Sequence, residues 1–428
     1  MNNLNWNYIK EKWNHAGFQK YFQNTSWMFF GQLSMLISLA VNIWLARYLG
    51  PQNYGFLSYI LAFVGVFSFI SGLGINDVLI RELVKHPEKK NELLGTAFWL
   101  SALSGITAFI ITSVSALFFE TSPLIKTLII LYSTIFIWSP VNIISAYFQA
   151  TIQAKKNALA QIIGTVIVSL FKIFLILTGK GIIWLVFAFV LDYIVGAGLY
   201  FYNYLKSDLN IKNWKFSKIL AKNFLEASLY LMLSAATGYM LLKIDQVMIR
   251  FYLTETQVGL YAVAVKLSEL WYFIPGIICG SIFPAIINAK KTHAGMYTSR
   301  LKKLYIFLGA TALLIAIPIA ILAPWIIKLL FGIQYLESTQ ILQIYVWSGI
   351  GFFLSTGINK YFLAENYLKS ILIFNSVAVI INIILNIILI PRIGLTGAAW
   401  STLISYSITP AVFFISNRFK ITKENANK

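Results

Sequence analysis

Long apolar runs, one after another, constrain this chain more than any other feature. Twelve segments, near residues 21–46, 55–83, 93–119, 123–150, 158–178, 181–205, 224–251, 258–288, 304–330, 338–363, 368–390 and 396–417, are almost free of charge. Each meets the length of roughly 20 residues that carries a helix across a hydrocarbon core. Lipid leaves no partner for an unpaired amide, so every one of these segments must be helical. An all-α polytopic membrane protein of about 12 transmembrane helices follows. Composition agrees: 58% of residues are hydrophobic and 11% charged, against about 25% charged in soluble domains. The single cysteine, Cys279, excludes a disulfide scaffold.

Residues 1–20 place Trp6, Tyr8, Ile9, Trp13 and Phe18 among Lys10, Lys12 and Lys20, a pattern suited to a helix lying in the headgroup plane. The run that follows is too long for the core of a cleaved signal peptide, so the first span is expected to stay. Pro318 and Pro324 in the ninth run predict a kink, or a break into a second short helix.

A net charge of +19 and a pI near 9.7 would suggest nucleic acid in a soluble protein. Here the charges alternate with the spans. The N-terminus, the even-numbered loops and the C-terminus hold 25 of the 34 lysines and arginines, whereas the odd-numbered loops hold six: Arg47, Lys126, Lys180, Arg250, Lys328 and Arg392. Basic residues stay on the cytoplasmic side, so both termini are predicted cytoplasmic and no nucleic-acid partner is expected. The basic stretch 206–223 divides the spans six and six, giving an N-lobe over 21–205, a C-lobe over 224–417 and a tail over 418–428. "RYLGPQNYGFLSY" after span 1 is echoed by "RFYLTETQVGLYAV" after span 7. Six spans between the copies fit two lobes related by a pseudo-two-fold along the membrane normal.

Three short motifs stand out. In "LGPQNYG", Gly50, Pro51 and Gly55 suit a tight external turn between spans 1 and 2. In "LGINDVLIREL", Asp77 and Arg81 are i and i+4 on one helix face, placed to pair or to let Arg81 meet a headgroup. In "NIILNIILIPRIGLTGAAWSTLISY", Asn382 and Asn386 lie one turn apart, Pro391 is expected to end span 11, and small residues open span 12. That composition suits close helix packing or a pore lining.

Charges inside the runs are functional candidates by default, because each is costly to insert. Lys172, Lys243 and Lys266 face Asp192, Asp245 and Glu269, with no net charge between the two sets. At 1.5 Å per residue, Asp245 and Lys266 both lie about 10 Å outside the midplane and are expected to pair. Lys243 and Glu269 lie nearby. Asp192 is near mid-membrane, and Lys172, about 6 Å further out, reaches it with its stem. Such groups either line a polar cavity or only tie helices together.

"LGPxxYG" after span 1, "LG" followed by "RE" after span 2, an Asp before "VGLYAVAVKLSEL" across spans 7 and 8, and the long motif across spans 11 and 12 resemble the oligosaccharide repeat-unit flippases. These belong to the multidrug, oligosaccharidyl-lipid and polysaccharide exporter superfamily. The resemblance implies two six-helix lobes around a V-shaped central cavity that opens alternately to each side. It implies undecaprenyl-diphosphate-linked glycans, building blocks of O-antigen, capsule or a similar surface polysaccharide, as cargo across the bacterial inner membrane. It further implies a monomer, contact with membrane lipids and polymerase machinery, and no cofactor. On this reading Lys266, Lys243, Lys172, Arg47 and Arg81 bind substrate, while Asp245, Glu269, Asp192 and Asp77 serve coupling or as counter-ions.

Two alternatives remain. A cation-coupled multidrug antiporter shares the fold, but several such relatives carry an acidic residue in the first span, where this chain has Gln32, Ser34 and Asn42. A membrane glycan polymerase or acyltransferase needs water-facing catalytic groups. His15, His86 and His293 are scattered over polar segments without ligand-like spacing, and no nucleophile elbow or phosphate-cradling glycine loop is evident.

Overall fold

A computed structural model describes residues 16–207, 210–292, 294–365 and 367–426; most of the expected interfacial segment 1–20 lies outside them. Among the described residues the regular structure is entirely helical. Eleven helical stretches are long and apolar enough to cross a membrane, and the first, Phe30–Val66, is 37 residues long. At 1.5 Å per residue that is about 55 Å, nearly twice a hydrocarbon core. Its backbone leaves helical geometry at Gly50 (φ 69°, ψ 170°), a left-handed φ that glycine adopts without steric cost. Pro51 then opens the next helix, where its missing N–H is harmless. The expected turn has contracted to one residue, and the eleven stretches hold twelve spans.

Contacts divide the chain into two compact units: the chain up to Leu45 with Phe67–Met232, and Ala46–Val66 with Leu233–Lys428. In the first unit, the C-terminal end of span 2 (Ile75–Lys85), span 3 (Lys90–Phe119), span 4 (Pro123–Ala150) and span 6 (Ile182–Leu205) enclose a core around Leu79, Leu94, Ile144, Phe148 and Tyr204. Span 5 (Ala154–Leu177) carries Lys172. The second unit comprises the N-terminal half of span 2, span 7 (Lys218–Tyr252, from Leu233), span 8 in two pieces (Glu255–Glu269 and Ile274–Thr292), span 9 (Ala294–Leu330), span 10 (Ser338–Ala364), span 11 (Leu368–Ile393) and span 12 (Leu395–Ala426). Its apolar packing centres on Leu304, Leu308 and Phe353, and on Phe362 against Phe413. Leu314, Ile321, Trp325 and Leu329 on span 9 remain exposed, as suits a helix whose solvent is lipid.

The two echoed motifs meet within the second unit. A Cβ built on Gly55 falls 1.8 Å from the Glu255 carbonyl oxygen, and one on Gly259 falls 2.0 Å from that of Pro51. Each glycine therefore abuts the carbonyl four residues before the other, a reciprocal backbone crossing that only small residues allow.

Three expectations change. Span 9 runs unbroken through Pro318 and Pro324. Pro324 frees the carbonyl of Ala320, and the Gln343 amide of span 10 donates to it at 3.2 Å, the repair that lets membrane helices keep proline. Span 11 passes Pro391 and stops at Gly394 (φ 65°). Span 8 is interrupted at 270–273, directly after Glu269.

Candidate functional site

The polar centre of the second unit is built on Asp245, which is 3% exposed on span 7. Its Oδ2 accepts the Tyr261 hydroxyl at 2.8 Å and the Thr402 hydroxyl, and its Oδ1 accepts the Asn386 amide at 2.6 Å. The same Asn386 amide donates to Asn382 Oδ1 at 3.0 Å. Donors thus converge from spans 8, 11 and 12, and Asn382, Asn386 and Thr402 are fully buried. A buried charge persists only when its lone pairs are satisfied. The expected ion pair with Lys266 is not formed: among the described residues no lysine or arginine lies within 4.0 Å of Asp245. Neutral donors hold the carboxylate instead.

Sequence reasoning missed Tyr261 and Thr402 as partners of Asp245. The Asn382–Asn386 repeat was visible, but its target 141 residues away was not.

Lys266 occupies a different surface of the same unit. From 258 to 268 span 8 is buried at every position except Lys266, which is exposed. Its side chain thus reaches accessible space from an otherwise enclosed stretch of helix. Lys243 is half-buried, with its stem beside Gly65 of span 2. Lys243, Lys266 and Glu269 lie within electrostatic range of one another. Glu269 accepts the Tyr345 hydroxyl at 3.0 Å, and the Tyr345 ring meets the Tyr261 ring edge-on at 5.9 Å between centroids. Buried Asp245 and half-buried Glu269 are thereby joined by a pair of packed tyrosines. Lys266 and Glu269 sit at the end of the half-helix Glu255–Glu269, a helix C-terminus favouring cations.

In the first unit Lys172 is 4% exposed, and its ammonium lies 3.6 Å from the centroid of the Phe189 ring. Its charge is felt by Asp192, in line with the expected approach. Asp192 is exposed and lines a cavity of about 230 Å³ together with Trp138, Asn142, Tyr193 and Tyr200.

The remaining expected site residues go elsewhere. Arg47 donates to the Leu329 carbonyl at 2.5 Å, and its own carbonyl accepts Gln334 at 3.1 Å; it fastens neighbouring helix ends. Arg81 pairs with Glu82 at 3.0 Å and not with Asp77. Both Asp77 and Arg81 are exposed, and between solvated charges the choice of partner is worth little. Among the described residues no cluster of three or more His, Cys, Asp or Glu is placed to hold a metal.

Against known proteins, the family model described as "Polysaccharide biosynthesis protein" matches residues 44–340. A probable low-salt glycan biosynthesis flippase of Haloferax volcanii, Agl15, is 23% identical over 214 residues, 47% of this chain and 44% of that protein. The chain spans less than half the length of the curated relatives it matches. Among solved structures, an inward-facing multidrug resistance MATE family transporter of the MOP superfamily superposes with a TM-score of 0.71 at 17% identity, covering 91% of this chain and 95% of that one. The lipid II flippase MurJ in an inward closed conformation superposes at 0.68 and 18%, covering 90% and 87%. At such identities the likeness is one of fold, the two-lobed fold of that superfamily. With more than half of its length matched by the family model, the chain belongs to the polysaccharide biosynthesis protein family.

Proposed function

We propose that this protein is a flippase that carries a polyprenyl-diphosphate-linked oligosaccharide, with undecaprenyl as the lipid and a surface-polysaccharide repeat unit as the glycan, from the cytoplasmic to the outer leaflet of the bacterial inner membrane. The observation that carries the reading is Lys266, the one exposed position on a stretch of span 8 buried from 258 to 268. Such an ammonium, with Lys243 close by, is a strong point charge for a diphosphate. Glu269 balances it when no substrate is bound. Asp245, satisfied by neutral donors, is then free of the substrate-binding lysines and serves as the coupling group. Asp192 lines a second polar region that contacts the glycan, with the charge of buried Lys172 behind it. The fold supports alternate opening to the two sides, with both termini cytoplasmic as the basic loops predict.

Replacing Lys266 with Ala should stop glycan export at unchanged membrane abundance, with lipid-linked repeat units accumulating on the inner face. Export preserved at normal abundance would remove Lys266 from the mechanism. A knockout that exports normally but becomes sensitive to toxic cations would instead identify an antiporter of the same fold.

A further inference from the structure

The second unit contains a cavity of about 160 Å³ between spans 7, 10, 11 and 12. Its polar lining is Ser355, Thr356, Asn359, Asn375, Ser405 and Thr409, and no charged side chain contributes to it. The space is that of about five waters, close to the volume of one pyranose ring with its hydroxyls. Ala378, Ser405, Tyr406 and Thr409 form a buried floor, whereas Gly238, Ser355, Asn359 and Asn375 are partly accessible and frame a mouth. A Cβ built on Gly238 meets nothing within 4 Å, so the mouth is open beside span 7.

Such a lining suits a ligand that carries many hydroxyls. The Thr356 hydroxyl donates to the Phe352 carbonyl at 2.9 Å, and the Ser405 hydroxyl to the Ser401 carbonyl at 2.6 Å. Each has given its proton to its own helix and offers lone pairs to a donor in the cavity. Asn359 Oδ1 is buried without a hydrogen-bond partner, and such an acceptor is costly until a donor reaches it. The Phe352 and Tyr406 rings also line the cavity, with centroids 5.9 Å apart at 77°. The C–H face of a sugar ring is weakly positive and is drawn to the negative face of an aromatic ring. Tyr272 stacks on Phe352 at 4.0 Å and 11°, and its hydroxyl shares a 3.0 Å hydrogen bond with that of Ser348, which holds the platform in place.

From these features we infer that the cavity is a subsite for one neutral sugar residue of the transported glycan, with its hydroxyls on the Ser, Thr and Asn side chains and its C–H face against Phe352 and Tyr406. The inference rests on the flippase reading. A lipid tail would strand the six polar side chains of the lining, while a uronic acid or an amino sugar would bury a charge with no counter-charge beside it. Lys243 directly follows Leu242 of the cavity wall and lies about 7.5 Å along the helix from Gly238. A sugar at the mouth and a diphosphate at the lysine are therefore within reach of one extended ligand.

Saturation-transfer difference NMR of the protein in lipid nanodiscs tests the cavity with soluble probes: the methyl glycosides of glucose, galactose, mannose and N-acetylglucosamine, with methyl glucuronide as the charged control. Binding of at least one neutral glycoside, and not of the glucuronide, is the expected result. Gly238→Phe closes the mouth and should abolish the signal, whereas Gly238→Ala should keep it; should Gly238→Phe not fold, Gly238→Leu takes its place. Asn359→Leu should weaken binding by about tenfold or more. It should leave the unfolding midpoint unchanged or raised, because it removes an unsatisfied acceptor; a merely structural Asn359 would show the reverse. No binding by wild-type protein of normal size-exclusion profile, binding untouched in the Gly238 and Asn359 variants, or equal binding of the glucuronide overturns the assignment. Glycan export in cells separates the subsite from the wider reading. A knockout that accumulates no lipid-linked glycan overturns the flippase reading and with it the cargo named here. Accumulation in the knockout, with wild-type export by Gly238→Phe at normal abundance, removes the subsite alone.

Discussion

Replacing Gly259 with Ala places a methyl carbon 2.0 Å from the Pro51 carbonyl oxygen, and replacing Gly55 with Ala places one 1.8 Å from that of Glu255. Real Cβ atoms essentially never come within 3.0 Å of such neighbours, so the helices must part by at least 1.0 Å for the first change and 1.2 Å for the second. Backbone atoms cannot rotate aside as a flexible side chain does. Overpacking of this kind costs about 1–3 kcal/mol, or roughly a tenfold loss in the folding equilibrium for every 1.4 kcal/mol. Because both methyl groups wedge open the same seam, the separation forced by one relieves the other. The double variant should therefore lose much less than the two single losses combined, whereas independent sites add to within about 0.5 kcal/mol. Equilibrium unfolding in mixed micelles, followed by circular dichroism, measures all three variants. Gly280→Ala, where a Cβ meets nothing within 4 Å, is the control and should be neutral or slightly stabilising. Wild-type stability in Gly259→Ala, or strict additivity in the double variant, would show that the echoed motifs do not share a backbone contact.

Other perturbations probe separate parts of the molecule. Gln343→Leu should destabilise by about 1 kcal/mol by stripping the Ala320 carbonyl of its donor, and adding Pro324→Ala should recover the loss by restoring a main-chain donor; unfolding midpoints of the single and double variants decide it. Thr402→Val should cost about 1–3 kcal/mol by removing a donor from buried Asp245, with Thr402→Ser restoring most of it in the same assay. At the basic-loop end, Glu365 accepts Tyr297 at 2.6 Å and Lys290 at 2.9 Å. Burial pushes the Glu365 carboxyl up, but these two donors outweigh it and hold it below its usual 4.5. With the folded value depressed, its contribution to stability is complete above the unfolded value and disappears as pH falls through the folded one. Acid melting curves should show wild type and Glu365→Gln converging below pH 4.5 and separating above it.

How far the sequence could be read depended on the range of each interaction. Span number was legible because lipid allows only helices, and charge alternation along the chain carries a prediction of topology without tertiary contacts. Lys266, Asp245 and Glu269 were legible as exceptions within apolar runs. Their partners were not. Asp245 and Lys266 share a depth, yet depth says nothing of azimuth, and Asp245 turned toward Asn386 and Thr402 while Lys266 faced accessible space. Arg47 and Arg81 stood out as charges next to motifs, but a cation at a helix end finds carbonyls and neighbouring carboxylates more cheaply than a distant ligand. The expected break at Pro324 failed to appear because the carbonyl it frees is repaired from another helix by Gln343, and local rules do not see that donor.

Hydrophobic length and the alternation of basic loops, both properties of consecutive residues, were enough to determine a twelve-span helical membrane protein and its predicted orientation. Which carboxylate is quenched by neutral donors, which lysine stays open, and where two glycines let backbones touch were decided only in the tertiary structure, because each depends on residues up to 204 positions apart in the chain, from Gly55 to Gly259, brought together by the rotation of one helix against another.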